Sequence, residues 1–199
     1  QVWQSMGGHE LGSVWGHGSY VAPDWSADWL HREAVALREI LARDLHRSPY
    51  DALDTAERAA VDARVLAEMR RNTFDAATGA VTVSAQRARA IAEVRAHYEA
   101  LFGDEADLAA LREQYAMPSG ALPDPAERAA LGAFFFWSAW SAATDRPGER
   151  GLSYTSNWPH EPLVGNTMTA GSAMWTIASV IMLLGGIAAM IWYHASHGE

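Results

Sequence analysis

The run MTAGSAMWTIASVIMLLGGIAAMIWY, Met168 to Tyr193, holds 26 residues without an Asp, Glu, Lys or Arg. As a helix it would be about 39 Å long at roughly 1.5 Å per residue, enough to cross a hydrocarbon layer of about 30 Å with some tilt. Trp175 near one end and Trp192-Tyr193 near the other suit the two headgroup zones. The helix is expected over about 168–194. Arginine is absent from both flanks, so charge asymmetry does not set its orientation. Small residues (Gly171, Ser172, Gly185, Gly186, Ala189) would let a second helix approach closely in lipid. Two readings stay open on that pattern, a member of a larger bundle and a lone anchor with incidental glycines.

Upstream the composition changes sharply. The uncharged stretch runs from Pro162 to Gly198, whereas the first 161 residues carry all 15 arginines and 23 of the 24 acids, a formal charge of −8. An acidic domain is a poor partner for nucleic acid, which is bound by basic residues that displace phosphate counterions. Cysteine is absent, which excludes disulfides, thiolate metal sites, iron–sulfur clusters and thioether-linked heme. The chain contains no lysine, which reads as compositional bias toward arginine. It opens at Gln1 without a methionine or a signal peptide and reads as a piece of something longer.

Periodicity makes the acidic part helical. Residues 1 to 25 are glycine- and tryptophan-rich, an irregular but ordered segment. Ser26 is placed as the cap of a first long helix with apolar positions Trp29, Leu30, Ala34, Leu37, Ile40, Leu41 and Leu45, ending near Ser48. Asp54 and Glu57 form a capping box ahead of Val61, Val65, Leu66 and Met69. A hairpin or extended excursion is expected from Thr73 to Val83 around Thr78-Gly79. Ser84 caps a further helix with Ala88, Ile91, Val94, Tyr98, Leu101 and Phe102, for which Gly103 is read as a left-handed stop. Asp104 to Tyr115 reads as a short helix.

Asp124-Pro125-Ala126-Glu127 opens the last helix of this part, with an N-cap, a first-turn proline and a returning Glu. Its uncharged run, Ala129 to Thr144, is 16 residues, short of the roughly 20 a span needs. Length favours a buried core helix over one that dips into the membrane. Asp145 to Asn166 is taken as a connector.

Sites are scarce. His9, His17, His31, His46, His97 and His160 sit in separate segments without helical metal-ligand spacing, which favours surface or core roles. His194 and His197 read as polar residues at a membrane face. Asp24 and Asp28, and Asp104, Glu105 and Asp107, fall in helix first turns, where they complement the dipole. Phosphate loops, nucleophile elbows and zinc-protease signatures are missing. The segment that stands out is Trp15 to Trp29, where two glycines bracket His17 and the tryptophans Trp15, Trp25 and Trp29 crowd together. On physics alone an aromatic loop packed over the helices competes there with a functional site.

Val2-Trp3-Gln4-Ser5-Met6-Gly7-Gly8, Gly12 to Tyr20, Ala22 to His31 and Tyr154-Thr155-Ser156-Asn157-Trp158-Pro159-His160-Glu161-Pro162 together resemble the quinol-dependent nitric oxide reductases. The resemblance covers most of the chain. It implies a mainly α fold: residues 1–162 as a cytochrome c-like helical extracytoplasmic domain without heme, then 163–199 as connector and one transmembrane helix. The family is related to the heme-copper oxidases, and its complete members reduce nitric oxide to nitrous oxide on a helical bundle carrying heme b and non-heme iron. By resemblance the domain caps that bundle, faces the periplasm or exterior of a bacterial inner (cytoplasmic) membrane, and has the rest of the bundle, membrane quinol and the lipid bilayer as partners.

Gly18-Ser19-Tyr20-Val21-Ala22-Pro23 resembles a Gly-x-Tyr-x-Ala-Pro stretch of the cytochrome-containing relatives, whose glycine carbonyl and tyrosine bind calcium near heme propionates. Gly18 and Tyr20 are therefore the metal candidates, with calcium expected only in the complete enzyme. The family's heme and iron ligands have no counterpart in these residues, so no catalytic or cofactor-binding residue is assigned. The competing expectation is a membrane-anchored acidic helical interaction module with no redox role.

Overall fold

The computed structural model describes residues 1–197, divided into two compact units, the first Gln1–Thr167 and the second beginning at Met168. The first unit is built on helices α1 (Val2–Ser5), α2 (Trp25–His46), α3 (Thr55–Arg70), α4 (Ala85–Leu101), α5 (Ala109–Gln114) and α6 (Pro125–Ala143). Two small antiparallel ribbons complete it. Strand β1 (Ser13–Val14) pairs with β2 (His17–Gly18), and β3 (Phe74–Asp75) with β4 (Ala80–Val81). The second pair realises the excursion expected around Thr78-Gly79.

Helix α2 is the spine, packed most extensively against α4 and α6 and then α3. Its buried positions, Trp25, Trp29, Leu30, Ala34, Leu37, Ile40 and Leu41, recur three or four apart, while Leu45 is exposed. The cap is Asp24 rather than Ser26: the Asp24 carboxylate accepts from the Ala27 amide at 3.0 Å. Ser26 lies inside the first turn and donates its hydroxyl to Asp24. The helix ends at Arg47, in a left-handed conformation whose N–H reaches the Arg43 carbonyl.

Asp54 and Glu57 form the reciprocal capping box ahead of α3, and Ser84 accepts from the Arg87 amide ahead of α4. Past α4 the chain departs from expectation. Gly103 is not left-handed; Phe102 ends the helix in right-handed geometry, and the Gly103 N–H still reaches the Glu99 carbonyl at 3.2 Å. The stretch after it starts as a 3-10 turn, Ala106–Leu108, before α5 begins. Asp124 caps α6 through the Ala126 amide at 2.8 Å.

The core is aromatic. Trp25 stacks on Phe135 with centroids 5.4 Å apart, and Trp29 on Tyr98 at 5.1 Å. Tyr98 and Phe102 close the cluster, so α2, α4 and α6 meet on side chains that are fully buried. Contacts of this kind contribute about 0.5–1.5 kcal/mol each beyond area burial. Leu131, Phe135, Ala139, Ala142 and Ala143 of α6 are buried inside the unit, so the 16-residue uncharged run is a core helix.

The segment Asp145 to Asn166 is more than a connector. Arg70, at the end of α3, donates Nε to the Val164 carbonyl at 2.8 Å and Nη1 to Asp145 at 2.9 Å. Its Nη2 reaches the Gly165 carbonyl and the Asn166 amide oxygen, and both Nη atoms reach Asn157. Asn166 in turn donates to the Ala142 and Pro159 carbonyls, each at 2.9 Å. One guanidinium thereby fastens 22 residues of irregular chain to the helices.

The second unit consists of α7 (Ala170–His197). Thr169 Oγ1 accepts from the Ser172 amide at 3.1 Å, which starts the helix two residues after Met168. At 28 residues, without Asp, Glu, Lys or Arg, it is long and apolar enough to cross a membrane.

Candidate functional site

Trp15 to Asp24 forms a tight structure before α2, and Trp25 to Trp29 are the first residues of that helix. The two residues joining β1 to β2, Trp15 and Gly16, have φ of 54° and 78°, the left-handed pair a two-residue hairpin turn demands. Such a φ is costly for tryptophan, and three contacts hold it there. The Trp15 amide donates to Ser26 Oγ at 3.0 Å, its indole Nε1 to the Ser138 carbonyl of α6 at 2.9 Å, and the Gly16 amide to Asp24 at 2.6 Å. A Cβ on Gly16 would come within 3.1 Å of the Trp158 ring, so the loop touches the 145–166 segment closely.

Asp24 ties these parts together. Its carboxylate receives the Ser26 hydroxyl, the Gly16 amide, the Ser13 hydroxyl at 2.8 Å and the Ala27 amide. Partial burial works to raise its pKa, and the hydrogen bonds from Ser26, Gly16, Ser13 and Ala27 overcome that and hold the carboxyl below its ordinary value. The carboxylate is thus occupied by the loop itself.

Gly18 lies in β2 opposite Ser13, with φ of 142°. A Cβ there would sit 2.2 Å from the Gly12 carbonyl oxygen, so the position accepts only glycine. The strand is pinned beside the preceding turn: His9 Nδ1 lies 2.7 Å from the His17 carbonyl, and the Ser19 amide donates to His9 O at 2.6 Å. Tyr20 is 89% exposed. Gly18 and Tyr20 are thus both exposed, two residues apart in the chain, while the Asp24 carboxylate is taken up by Ser13, Gly16, Ser26 and Ala27.

Among the described residues no group of three or more His, Cys, Asp or Glu side chains gathers at metal-binding distance. His31 pairs with Glu161 at 2.7 Å and His46 with Glu57 at 3.2 Å. Burial, followed by the charge of Arg32, pushes the His97 pKa down.

Two buried charge networks escape a reading of the sequence. Glu33 and Arg87 form an ion pair at 2.7 Å with both side chains almost wholly buried, and Trp29 Nε1 donates to the second Glu33 oxygen at 2.9 Å. A signal for it exists: Glu33 and Arg87 fall in phase with the buried stripes Trp29, Leu30, Ala34, Leu37 and Ala90, Val94, Leu101. The Arg70 cluster has no such local signal, because its acceptors lie 75 or more positions downstream.

No curated protein sequence matches the chain. A family model does: that of NorB, the cytochrome c-like domain of nitric oxide reductase, matches residues 1–160. It ends just short of the apolar helix and takes in Gly18 and Tyr20, the aromatic core and most of the Arg70 segment. By that match over most of its length, the chain belongs to the NorB family of nitric oxide reductase, through its cytochrome c-like domain.

Proposed function

We propose that this chain is the heme-free outer domain of a quinol-dependent nitric oxide reductase, followed by the first helix of its membrane bundle. The observation that carries the reading is the absence of cysteine from a cytochrome c-like domain of this family. Thioether attachment of heme requires cysteine, so this domain does not receive electrons through a covalently held heme. The space between α2, α4 and α6 is filled by Trp25, Trp29, Tyr98, Phe102 and Phe135, consistent with a structural role. Membrane quinol is then the electron source, and heme b with non-heme iron, held by the rest of the bundle, supplies the reduction chemistry.

In this proposal the domain faces the periplasm or exterior of a bacterial inner membrane and covers the bundle through the edge that bears Gly18 and Tyr20. The Gly18 carbonyl and the Tyr20 side chain would supply two oxygens to calcium, which takes roughly six to eight. Asp24, the nearest carboxylate in sequence, is saturated by Ser13, Gly16, Ser26 and Ala27. The fit is thus partial, and the remaining ligands belong to the bundle. The role of this chain's own residues is positional: Trp15, Gly16 and Asp24 set the Gly18–Tyr20 edge against α6.

The test is made on the enzyme purified from membranes in mild detergent. The polypeptide carrying this sequence is expected to yield all of its heme to acidified acetone, to contain non-heme iron, and to reduce nitric oxide with a soluble quinol analogue. Heme that stays covalently bound to it, or electron delivery only from a soluble cytochrome, would overturn the proposal.

A further inference from the structure

A groove of about 860 Å³ runs along α3 where the 145–166 segment lies against it. Leu66 and Ala67, both exposed, give it an apolar side, and Gly165 lies on its wall. Three arginines line it. Arg70 is committed to Asp145 and to the chain around Asn157 and Asn166. Arg71 and Arg150 are exposed, and neither takes part in an ion pair among the described residues. With Arg70 balanced by Asp145, the lining carries two uncompensated positive charges on a chain whose formal charge is −9.

We propose that this groove binds the phosphate headgroup of an anionic phospholipid. Guanidinium groups match phosphate oxygens in a two-pronged geometry, so Arg71 and Arg150 take the phosphate. Leu66 and Ala67 take the glycerol and upper acyl carbons. Two features select a lipid as occupant. The first is charge complementarity: most of the domain repels an anionic surface, and the groove attracts one. The second is chain length: Gly165 precedes Ala170, the first residue of α7, by five positions, a stretch that spans at most about 18 Å. Gly165, on the groove wall, is thus tied to the start of α7 by a short stretch of chain. This inference rests on α7 spanning a bilayer, and on nothing about heme, quinol or calcium.

The test uses the full chain in dodecyl maltoside and native mass spectrometry, with phosphatidylglycerol and phosphatidylcholine added at equal concentration. The wild-type chain is expected to retain phosphatidylglycerol preferentially. R71Q/R150Q is expected to lose affinity for it about thirtyfold, from roughly fivefold per arginine at an anionic surface. R71K/R150K, which keeps charge without the fork, should fall between the two. Both arginines are exposed, so unchanged circular dichroism is expected and guards against misfolding. Equal retention of the two lipids by the wild type, or equal retention of phosphatidylglycerol by wild type and R71Q/R150Q, overturns the proposal. Displacement of the lipid by millimolar inorganic phosphate would instead mark a free-anion site and overturn the lipid assignment. Flotation with phosphatidylcholine vesicles reports on α7 alone; its loss in the wild type would sink the spanning reading separately.

Discussion

Glu33 Oε1 and Arg87 Nε lie 2.7 Å apart in the middle of the domain, and both side chains are almost wholly shielded from solvent. The pair bridges α2 and α4, and Arg87 also donates Nη1 to the Glu68 carbonyl on α3 at 3.0 Å. Removal of one member strands the other charge in a low-dielectric interior. Glu33→Ala or Arg87→Ala is expected to destabilise the domain by about 3–5 kcal/mol. Replacing both together with apolar residues, E33L/R87M, should cost much less than either single change. Thermal unfolding of the full chain in detergent, followed by near-ultraviolet circular dichroism, measures all three. A double variant as unstable as the singles would show that the pair contributes more than mutual neutralisation.

Gly18 and the Gly12 carbonyl make a second close approach. Gly18→Ala places a methyl group 2.2 Å from that oxygen in a backbone conformation that L-residues rarely adopt. The conformation alone is worth about 1–3 kcal/mol, and the overlap adds to it. The β1–β2 hairpin is expected to open locally, which raises amide exchange at Ser13 and Ser19 while the α2 core amides stay protected. Tyr20→Phe is the control, since Tyr20 is 89% exposed: it should leave stability within about 0.5 kcal/mol of wild type. A drop in bound calcium in the complete enzyme for Tyr20→Phe would then be a ligand effect rather than a folding effect.

Asp24 makes the hairpin sensitive to acid. Its folded-state pKa is lowered, so its contribution to stability is fully present above the unfolded-state value near 3.8 and is lost as pH falls through the folded value. Protonation removes an acceptor that serves the Ser26 and Ser13 hydroxyls and the Gly16 and Ala27 amides. Between about pH 7 and 5 the hairpin should be unaffected, and its exchange protection should fall only below about pH 4. Asp24→Asn should remove that acid transition and lower stability at neutral pH. Hydrogen exchange followed from about pH 6 down through the acid range separates the two cases.

Local signals carry most of the fold, and long-range ones are silent. The box at Asp54 and Glu57 and the cap at Ser84 are legible because both partners lie within one turn of each other. The cap of α2 falls two residues from where the sequence alone puts it because Ser26 and Asp24 are both good caps, and the choice is made by Ser13 and Gly16, which also bind Asp24. Length is enough to mark the 16-residue uncharged run as a core helix, although Phe134 and Trp137 stay partly exposed. Gly18 and Tyr20 are singled out as metal candidates only through resemblance. Composition has no means of showing that Trp15 reaches across to the Ser138 carbonyl, 123 positions away.

Arg70 offers the sharpest test of the segment that reads from sequence as a connector. Its guanidinium donates to Asp145, Asn157, Val164, Gly165 and Asn166, every one of them in or next to that segment. Arg70→Met keeps an apolar stem of similar reach but strands those acceptors, each buried unsatisfied group costing about 1–3 kcal/mol where water cannot replace the donor. Because the segment lies at the surface of α3, water can enter, and the expected result is local release rather than global unfolding. Proteolysis of the full chain should then cut within Arg146 to Arg150, while α2, α4 and α6 remain intact. Arg70→Lys should restore only part of the protection, since an ammonium has three donors where five acceptors converge. If Arg70→Met leaves cleavage at Arg146 and Arg150 unchanged, Asn166, through its bonds to Ala142 and Pro159, is what fastens the segment, and Asn166→Ala should release it.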